Sequence, residues 1–226
     1  MEKKKKRDIP LPKNIDIEQL AVYRKEMEAL MAYYQCAILE METKFKVLDR
    51  QFSLDHERNP IEGIQSRLKS AESIIEKLQR KGLKVSAREI EKNLYDVAGI
   101  RVICSFIDDI YMLKESLERQ DDITILEEKD YIKNPKKNGY RSLHLIVEIP
   151  IFLLNEKKMM KVEVQLRTIA MEFWANLEHK LRYKKNLDAS LLSKVGKDLS
   201  TCADVSAKLD LKMQNIRDMI ESIENK

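Results

Sequence analysis

The sequence predicts an α+β fold in which a mixed core of strands and helices lies between long helices at the two ends of the chain. Three observations support this prediction. Apolar residues recur at helical spacing near both ends, runs rich in Val and Ile lie between them, and the 226 residues include only 5 Gly and 5 Pro. A chain of this length can bury one substantial core but not two, so we expect one domain with helical extensions.

The first predicted element is a long amphipathic helix over residues 15–53. Its apolar residues recur every three or four positions, which is typical of a helix that packs one face against a core. Asn59-Pro60 then interrupts the chain. A lysine-rich run at residues 2–7 precedes this helix. We interpret it as a solvated terminus, with a contact to RNA or polyphosphate as the alternative.

The middle of the chain alternates between helix and strand patterns. In the last predicted strand apolar and polar residues alternate, so Glu163, Gln165 and Arg167 share one face with Lys161. Helices are predicted at 70–81, at 86–94, from Asp108 and Asp109 as N-cap residues onward, at 168–183 and, as one or two helices, at 188–224; strands are predicted at 97–106, 122–132, 140–149 and 159–167.

The charge, the apolar runs and the cysteine content restrict the partners and the cellular location that we expect for the protein. The 42 basic and 38 acidic residues leave a net charge of +4, which by itself does not indicate a nucleic-acid-binding protein. No run approaches the roughly 18 apolar residues of a membrane span, and no secretory signal pattern is visible, so we expect a cytoplasmic protein without a membrane partner. Cys36, Cys104 and Cys202 lack zinc-ligand spacing, and we expect reduced, mostly buried thiols.

A first cluster of candidate functional residues is basic and consists of Arg67, Lys69, Lys77, Arg80 and Lys81. Lys77 and Arg80 are three residues apart on a predicted helix and share one face. Arg67 and Lys69, just before this helix, would point to the same side of an extended segment. Such a group suits a triphosphate, because it offers several charge-assisted hydrogen bonds. A solvated basic helix is the alternative interpretation.

Two carboxylates form a second candidate group. Asp96 lies next to one predicted strand, and Glu163 leaves the apolar face of another. Two carboxylates on neighbouring strands can hold Mg²⁺ and leave positions for phosphate oxygens. One of them can also accept the proton of an attacking hydroxyl. Spacing alone leaves open the alternative that both are surface groups or ion-pair partners.

A third candidate region is the loop at residues 129–144, KDYIKNPKKNGYRSLH. Asn138-Gly139 is typical of a turn, and lysines and Arg141 surround it with positive charge. Tyr140 can stack on a base while its neighbours bind phosphates. A positively charged hairpin without a ligand is the alternative interpretation.

Several common signatures are absent from the sequence. It contains no Gly-x-x-x-x-Gly-Lys-Ser/Thr phosphate loop, no Gly-x-Gly-x-x-Gly dinucleotide fingerprint and no His-Glu-x-x-His pair. The three histidines are scattered, which argues against a metal site built from several of them. P-loop enzymes and multi-histidine phosphohydrolases are therefore disfavoured.

Four segments together resemble the synthetase domain of the RelA/SpoT homologue family, and the chain length resembles its stand-alone members, the small alarmone synthetases. The segments are RLKSAESIIEKLQRKG at 67–82, YDVAGIRVICSF at 95–106, KDYIKNPKKNGYRSLHLIV at 129–147 and VEVQLRTIAMEFWANLEHKLRYK at 162–184. We therefore expect a catalytic core at 61–184, between an N-terminal helical extension at 1–60 and a C-terminal helical region at 185–226.

The resemblance implies a nucleotidyltransferase-like fold, a mixed β-sheet flanked by helices. It also implies transfer of the β,γ-pyrophosphate of ATP to the 3′-hydroxyl of GTP, GDP or GMP, with Mg²⁺ as cofactor, which yields (p)ppGpp-type alarmones and AMP. The resemblance implies ATP binding by five basic residues, with Arg67 and Arg101 on either side of the adenine and Lys69, Lys77 and Arg80 along the phosphates. It implies metal binding and catalysis by Asp96 and Glu163. It also implies binding of the guanosine nucleotide by Lys136, Tyr140, His144, Gln165, Glu172 and Glu178.

The resemblance further implies a homotetramer, and it leaves single-stranded RNA or an alarmone as possible regulators. Glu172 stands where related sequences often carry Asn or Asp, so the preferred acceptor stays open. A nucleotide- or RNA-binding regulator without turnover is the alternative function. Asp96 together with Glu163 favours an enzyme, because a binder gains little from carboxylates beside a polyphosphate.

Overall fold

The fold is a five-stranded sheet with helices around it and one long helix at each end. The structure, a computed structural model, describes residues 17–55, 58–182 and 189–224. The lysine-rich run at 2–7 and the predicted core boundary at 184/185 lie outside the described residues. The helices are α1 (Ile17–Asp55), α2 (Ala71–Arg80), α3 (Ala87–Asn93), α4 (Ile107–Glu118), α5 (Ile169–Arg182) and α6 (Ala189–Glu224); the strands are β1 (Ile61–Leu68), β2 (Ala98–Cys104), β3 (Thr124–Asp130), β4 (Leu143–Phe152) and β5 (Lys157–Thr168).

The sheet is mixed, with the strand order β1-β2-β5-β4-β3. Only the central pair β2 and β5 is parallel; β1 pairs with β2, β4 with β5 and β3 with β4 in antiparallel fashion. The predicted fold class, α+β with a mixed sheet flanked by helices and long helices at both ends, is thereby confirmed. The division into three regions at 60/61 and 184/185 stays a prediction.

Strand β1 is not predicted by the sequence pattern. Its residues, IEGIQSRL, show no regular alternation, and Ile61 is the one buried residue among them. A strand at the edge of a sheet needs little apolar surface, because one side of its backbone has no neighbouring strand. The segment before Lys69 is therefore extended. This is the conformation in which Arg67 and Lys69, two residues apart, are predicted to point to the same side.

The start of α4 differs from the prediction that Asp108 and Asp109 are N-cap residues. Phe106 occupies the N-cap position, and Asp109, three residues later, accepts a hydrogen bond from the Phe106 N–H through Oδ2 at 3.0 Å. Arg58 also donates to both oxygens of Asp109, at 2.8 and 3.0 Å. The N-cap prediction is therefore wrong, because Asp109 caps the helix from inside its first turn.

The structure decides between one and two C-terminal helices, and it corrects the predicted burial of the cysteines. The C-terminal pattern forms one helix of 36 residues, α6, rather than two. The cysteines are less buried than expected, since Cys104 is buried, Cys36 is partly buried and Cys202 is exposed. Within the described residues, no helix is long and apolar enough to cross a membrane.

The main core lies between α1 and one face of the sheet. Tyr34, Met41 and Phe45 of α1 are fully buried and belong to the same apolar cluster as Ile100 of β2 and Val164 of β5. The alternation of β5 explains this arrangement, because Met160, Val162, Val164 and Leu166 all point to the α1 side. The opposite face of the sheet is left to the polar residues.

Phe45→Ala tests how much this core stabilises the fold. Phe45 is fully buried, and its truncation should lower the free energy of unfolding by about 3–5 kcal/mol, because it removes apolar contacts and leaves a cavity. Val47→Ala is the matched control on the same helix. Its side chain is 60% exposed, so the change should stay within about 0.5 kcal/mol. Equal losses in urea unfolding would contradict the packing of α1 on the sheet.

Candidate active site

The polar face of the sheet carries five of the predicted site residues in two rows that run across the strands. In one row Arg67 on β1 pairs with Gly99 on β2, and Gly99 pairs with Glu163 on β5. Cross-strand partners lie side by side on one face of a sheet. The register therefore places a basic residue and an acidic residue on either side of a glycine.

The second row contains four polar residues. Gln65 pairs with Arg101, Arg101 with Gln165, and Gln165 with His144. A shallow cleft between β1, β2 and β5 is lined by residues of both rows, including Arg67 and Glu163. Residues predicted for the two substrates thus meet in one place.

Gly99 leaves the space through which Arg67 crosses β2. A Cβ atom at position 99 would lie 3.4 Å from Cγ and Nε of Arg67, which is the limit of ordinary contact. Arg67 Nη2 reaches to 3.8 Å from Glu163 Oε2. This ion pair is long and exposed on the arginine side, so Arg67 is free to contact another group.

Asp96, just before β2, binds two lysines. Its Oδ2 lies 2.6 Å from Lys69 Nζ and 2.7 Å from Lys77 Nζ. The Lys69 N–H donates to the carbonyl of Val97 at 2.8 Å, which ties the end of β1 to the start of β2. Burial acts to raise the pKa of Asp96, but the hydrogen bonds and charges of the two lysines outweigh it and hold the pKa below its ordinary value.

The second oxygen of Asp96 makes this carboxylate a candidate for metal binding. Asp96 Oδ1 is buried and has no hydrogen-bond partner among the described residues. No group of three or more His, Cys, Asp or Glu side chains that could hold a metal occurs within the described part of the chain. Mg²⁺ is commonly held by one or two carboxylates together with substrate phosphates, so Asp96 and Glu163 fit that ion.

Glu163 has a nitrogen donor beside each of its oxygens. Gln165 Nε2 donates to Oε2 at 2.9 Å, and His144 Nδ1 lies 3.4 Å from Oε1. Burial acts to raise the pKa of Glu163, and Asp96 acts in the same direction, but the contacts with His144 and Gln165 outweigh both and lower it. The carboxylate is therefore ionised at neutral pH.

His144 joins Glu163 to Tyr140. Burial lowers the pKa of His144, and the charges of Arg167 and Lys136 act in the same direction against the pull of Glu163. The imidazole is therefore neutral at pH 7, and its effect on Glu163 is that of an N–H donor rather than of a full positive charge. Its other nitrogen, Nε2, lies 2.7 Å from the Tyr140 hydroxyl.

The ring of Tyr140 lies among cations and aromatic rings. Lys136 Nζ lies 4.7 Å from its centroid and 4.4 Å from that of Tyr131, and the guanidinium carbon of Arg167 lies 5.1 Å from the Tyr140 centroid. Tyr131 and His144 both pack edge-on against Tyr140. This aromatic and positively charged surface suits a nucleobase with phosphates close by.

Glu172 lies between two arginines and not at an open surface. Its Oε1 accepts hydrogen bonds from Arg101 at 3.0 Å and from Asn176 at 2.9 Å, and its Oε2 accepts one from Arg167 at 2.7 Å. The residue is only 8% exposed. Its predicted contact with the guanosine nucleotide stays a prediction.

Some predicted residues lie outside this group of contacts. Arg80 is exposed on the last turn of α2, and Lys81 donates to the carbonyl of Asn93 at 3.1 Å instead of facing Asp96. Glu178 on α5 accepts a hydrogen bond from Asn138 of the loop at 3.4 Å. The remaining predicted residues all contact at least one other member of the site.

The comparisons with known proteins agree with this geometry. A family model described as a region found in RelA / SpoT proteins matches residues 66–188, more than half of the chain. The chain is 42% identical over 205 residues to the GTP pyrophosphokinase YwaC of Bacillus subtilis, which covers 91% of this chain and 97% of that protein. It is 36% identical over 197 residues to the GTP pyrophosphokinase YjbM of the same organism, with 87% and 91% covered.

The chain belongs to the RelA/SpoT family. The solved structures point the same way. The small alarmone synthetase 1 of Bacillus subtilis bound to its product pppGpp matches with a TM-score of 0.78 and 36% identity, over 87% of this chain and 99% of that one. The small alarmone synthetase 2 of the same organism matches with a TM-score of 0.75 and 42% identity, over 85% and 98%. The predicted resemblance to the small alarmone synthetases is thereby confirmed.

Arg167 lies among the predicted site residues of this RelA/SpoT chain, although the sequence analysis gives it no role. Arg167 donates hydrogen bonds to Tyr140, Gln165 and Glu172. The sequence feature that could have identified Arg167 is the alternation of β5, which places it on the same face as Glu163. Its contact with Tyr140 depends on how the loop folds, and no local pattern predicts that.

The loop that carries Tyr140 is held against α6. Gly139 has φ +88°, and a Cβ atom there would lie 2.5 Å from Cβ of Ala203. Arg141 donates to the carbonyl of Ala203 at 3.3 Å and to Asp204 Oδ1 at 3.2 Å. The only tryptophan, Trp174, donates to the carbonyl of Leu199 at 2.9 Å in the same region. The C-terminal helix is therefore part of the support of the site.

Gly139→Ala tests this support. The added methyl group meets Ala203 in a backbone conformation that favours glycine, so the free energy of unfolding should fall by about 1–3 kcal/mol. Trp174 fluorescence during urea unfolding reports the change, because Trp174 lies at the junction of α5 and α6. Gly196→Ala on α6 is the control. It meets no atom within 4 Å and should stabilise the helix by up to about 1 kcal/mol. Wild-type stability of Gly139→Ala would contradict the close contact of the loop with α6.

Proposed function

We propose that the protein is a pyrophosphokinase that transfers the β,γ-diphosphate of ATP to the 3′-hydroxyl of a guanosine nucleotide and releases AMP. One observation carries the proposal. Asp96, with a buried oxygen that has no partner, and Glu163, held ionised by two N–H donors, lie in one site of a chain that is 42% identical to a GTP pyrophosphokinase over nearly its full length. The predicted activity class is confirmed by that relative and by YjbM.

On the donor side, the basic residues around Asp96 are proposed to bind ATP. Lys69 and Lys77 already lie within 2.7 Å of one carboxylate oxygen, so their charges are concentrated where phosphate oxygens would lie beside the metal. Arg67 and Arg101 lie on adjacent strands along the cleft, at the predicted position of the adenine. Arg80 is proposed to contact the phosphates from the exposed end of α2.

Mg²⁺ is the proposed cofactor, held by Asp96 and Glu163. When bound, it would neutralise charge on the transferred phosphates. The partnerless Asp96 Oδ1 supports this assignment, because a buried carboxylate oxygen without a hydrogen-bond donor is costly unless a cation or another donor occupies the place beside it. Lys69 and Lys77 hold the other oxygen and so orient the carboxylate.

On the acceptor side, Tyr140 is proposed to stack on the guanine, and Lys136, His144 and Gln165 to line the same subsite. The ring of Tyr140 is held at its hydroxyl by two hydrogen bonds, which leaves the position of the ring well defined. The lysine beside it supplies charge for the acceptor phosphates. Glu172 and Glu178 stay predicted acceptor residues.

The proposed chemistry uses Glu163 as the general base. The 3′-oxygen of the acceptor attacks the β-phosphorus of ATP, and the bond from that phosphorus to the oxygen bridging the α-phosphate breaks. AMP leaves with the bridging oxygen, and Glu163 takes the proton of the 3′-hydroxyl. The lowered pKa of Glu163 keeps it ready to accept this proton at neutral pH. The basic residues around Asp96 hold the donor in line, and Tyr140 holds the acceptor.

The exposed apolar surface of the C-terminal helices bears on assembly. Exposed apolar residues on α5 and α6, such as Phe173, Ile220 and Ile223, favour self-association, and we propose the homotetramer that the family resemblance implies. A monomeric mass by light scattering at micromolar concentration would contradict it. Control by RNA or an alarmone, and the cytoplasmic location, stay predictions.

The proposed activity is tested with ATP labelled on the γ-phosphate. The protein is incubated with Mg²⁺ and with GMP, GDP or GTP separately, and the products are resolved by chromatography. Label in a guanosine product together with AMP is the expected result, and the ranking of the three acceptors identifies the preferred one. Release of ADP, or no transfer by a folded protein that binds nucleotide, would overturn the proposal and favour a binding regulator.

Asp96→Asn tests the metal assignment. The amide keeps the shape of the side chain but removes the negative charge, so turnover should fall by about 100-fold or more while the fold is retained. Asp122→Asn is the control, because Asp122 also binds a lysine, Lys44, at 2.8 Å but lies in the turn before β3. The measurement is the rate of AMP formation against Mg²⁺ concentration. Near-normal turnover of Asp96→Asn would contradict its role as a metal ligand.

A further inference from the structure

Arg167 is a buried arginine at the centre of the acceptor side of the site. It is only 5% exposed. Its Nη1 donates to Glu172 Oε2 at 2.7 Å, and its Nη2 donates to the Tyr140 hydroxyl at 2.5 Å and to Gln165 Oε1 at 2.9 Å. One guanidinium thus contacts three polar side chains from three parts of the chain.

Two paths of polar contacts lead from Arg167 to Glu163. The first passes through the Tyr140 hydroxyl to His144 Nε2 at 2.7 Å, and from His144 Nδ1 to Glu163 Oε1 at 3.4 Å. The second passes through Gln165, whose Nε2 donates to Glu163 Oε2 at 2.9 Å. Each oxygen of the proposed general base therefore lies at the end of a path that starts at the same nitrogen, Nη2.

The direction of these hydrogen bonds follows from arginine chemistry. A guanidinium only donates, so the Tyr140 oxygen accepts from Arg167 and its own proton is left for His144 Nε2. His144 must then carry its proton on Nδ1, which faces Glu163. Gln165 accepts from Arg167 through its carbonyl oxygen, so its NH₂ group faces Glu163. Arg167 thus selects both the histidine tautomer and the amide orientation.

We infer that Arg167 is a positioning residue, which holds Tyr140, His144 and Gln165 so that two N–H groups point at the oxygens of Glu163 while the Tyr140 ring faces the acceptor. This inference rests on the proposed function, in which Glu163 takes the proton of the acceptor hydroxyl. It adds to the site a residue, Arg167, that contacts neither substrate. It also explains why the polar alternation of β5 continues past Gln165.

A direct contact of Arg167 with an acceptor phosphate is the competing interpretation. The burial of Arg167 argues against it, and so does the use of both terminal nitrogens by side chains of the protein. The two interpretations also predict different kinetics. A positioning residue affects every acceptor equally, whereas a phosphate ligand affects GMP, GDP and GTP to different degrees.

Steady-state kinetics of Arg167→Gln and Arg167→Lys form the first test. Arg167→Gln should lower kcat by about 10- to 100-fold with each of the three acceptors, as is typical when a residue that orients a reacting group is lost. The KM for ATP should stay within about twofold of that of the unmodified protein. Arg167→Lys should recover part of the loss, because one ammonium group keeps the charge but not the two-nitrogen fork.

Arg217→Gln is the matched control for loss of a largely buried arginine, since the Arg217 side chain is 11% exposed. Arg217 binds Asp108 and stacks on Phe106, where α6 meets α4, and so lies outside the site. It should keep the kcat of the unmodified protein even where its thermal unfolding temperature falls as far as that of Arg167→Gln. A fall in kcat of the same size in both variants would assign the effect of Arg167 to stability and overturn the inference.

A double-mutant cycle gives a second, independent test. Tyr140→Phe keeps the aromatic ring but removes the hydroxyl through which Arg167 acts on His144. If Arg167 acts through this hydroxyl, the double variant Tyr140→Phe/Arg167→Gln should lose little more activity than Arg167→Gln alone. Independent action would instead multiply the two losses, and that result would overturn the inference. Arg167→Lys replaces Arg167→Gln in the same cycle if the glutamine variant does not fold.

The tautomer of His144 provides a readout other than activity. In ¹⁵N NMR spectra at neutral pH the unmodified protein should show a neutral ring with the proton on Nδ1, and Arg167→Gln should show a mixture of tautomers. His144→Gln assigns the signal among the three histidines. An unchanged Nδ1–H tautomer in Arg167→Gln would overturn the inference. No transfer by the unmodified protein would overturn the proposed function and this inference together, whereas normal transfer with an unaffected Arg167→Gln would overturn this inference alone.

Discussion

The parallel pairing of β2 with β5 fixes where the charged groups of the site lie. Its register sets Gly99 beside Glu163, and the pairing of β1 with β2 sets Arg67 beside Gly99. Because side chains alternate along a strand, a shift of one residue would turn Glu163 toward the apolar face and α1. The packing of α1 on the sheet therefore protects the register, and the register in turn positions the site.

The partly buried carboxylates depend on donors that come from several elements. Asp96 receives its two lysines from the end of β1 and from α2, and Glu163 receives its N–H groups from β4 and β5. A buried charge without such partners costs several kcal/mol. The site consequently forms only when the whole core is assembled, and no isolated part of the chain could reproduce it.

The sequence patterns predict the central elements well and the edges poorly. The alternation of β5 places Glu163, Gln165 and Arg167 on one face, which the structure confirms, because period-two patterning reflects a sheet with one apolar face. The edge strand β1 and the cap of α4 are not predicted. An edge strand buries little, and Asp109 caps from inside the helix after the chain has already turned at Phe106.

Contacts between distant residues explain the rest of what patterning misses. Arg167 meets Tyr140 across 27 residues, through a loop that is itself held by α6. Lys69 meets Asp96 across the same number of positions. The roles of these residues toward substrates come from the family resemblance and stay predictions. Their contacts with one another follow from the strand order, which a local pattern does not contain.

Glu172 connects the donor and acceptor sides of the site. Its carboxylate lies between Arg101, predicted for the adenine, and Arg167, which holds Tyr140. Each arginine has a buried Nε atom without a hydrogen-bond partner among the described residues. The carboxylate of Glu172 therefore offsets much of the free-energy cost of burying each guanidinium group. A neutral residue at position 172 would leave the buried guanidinium of Arg167 and the partly exposed one of Arg101 close together and repelling each other. The negative charge of Glu172 therefore links Arg101 on β2 to Arg167 on β5, whatever further contact it makes with a substrate.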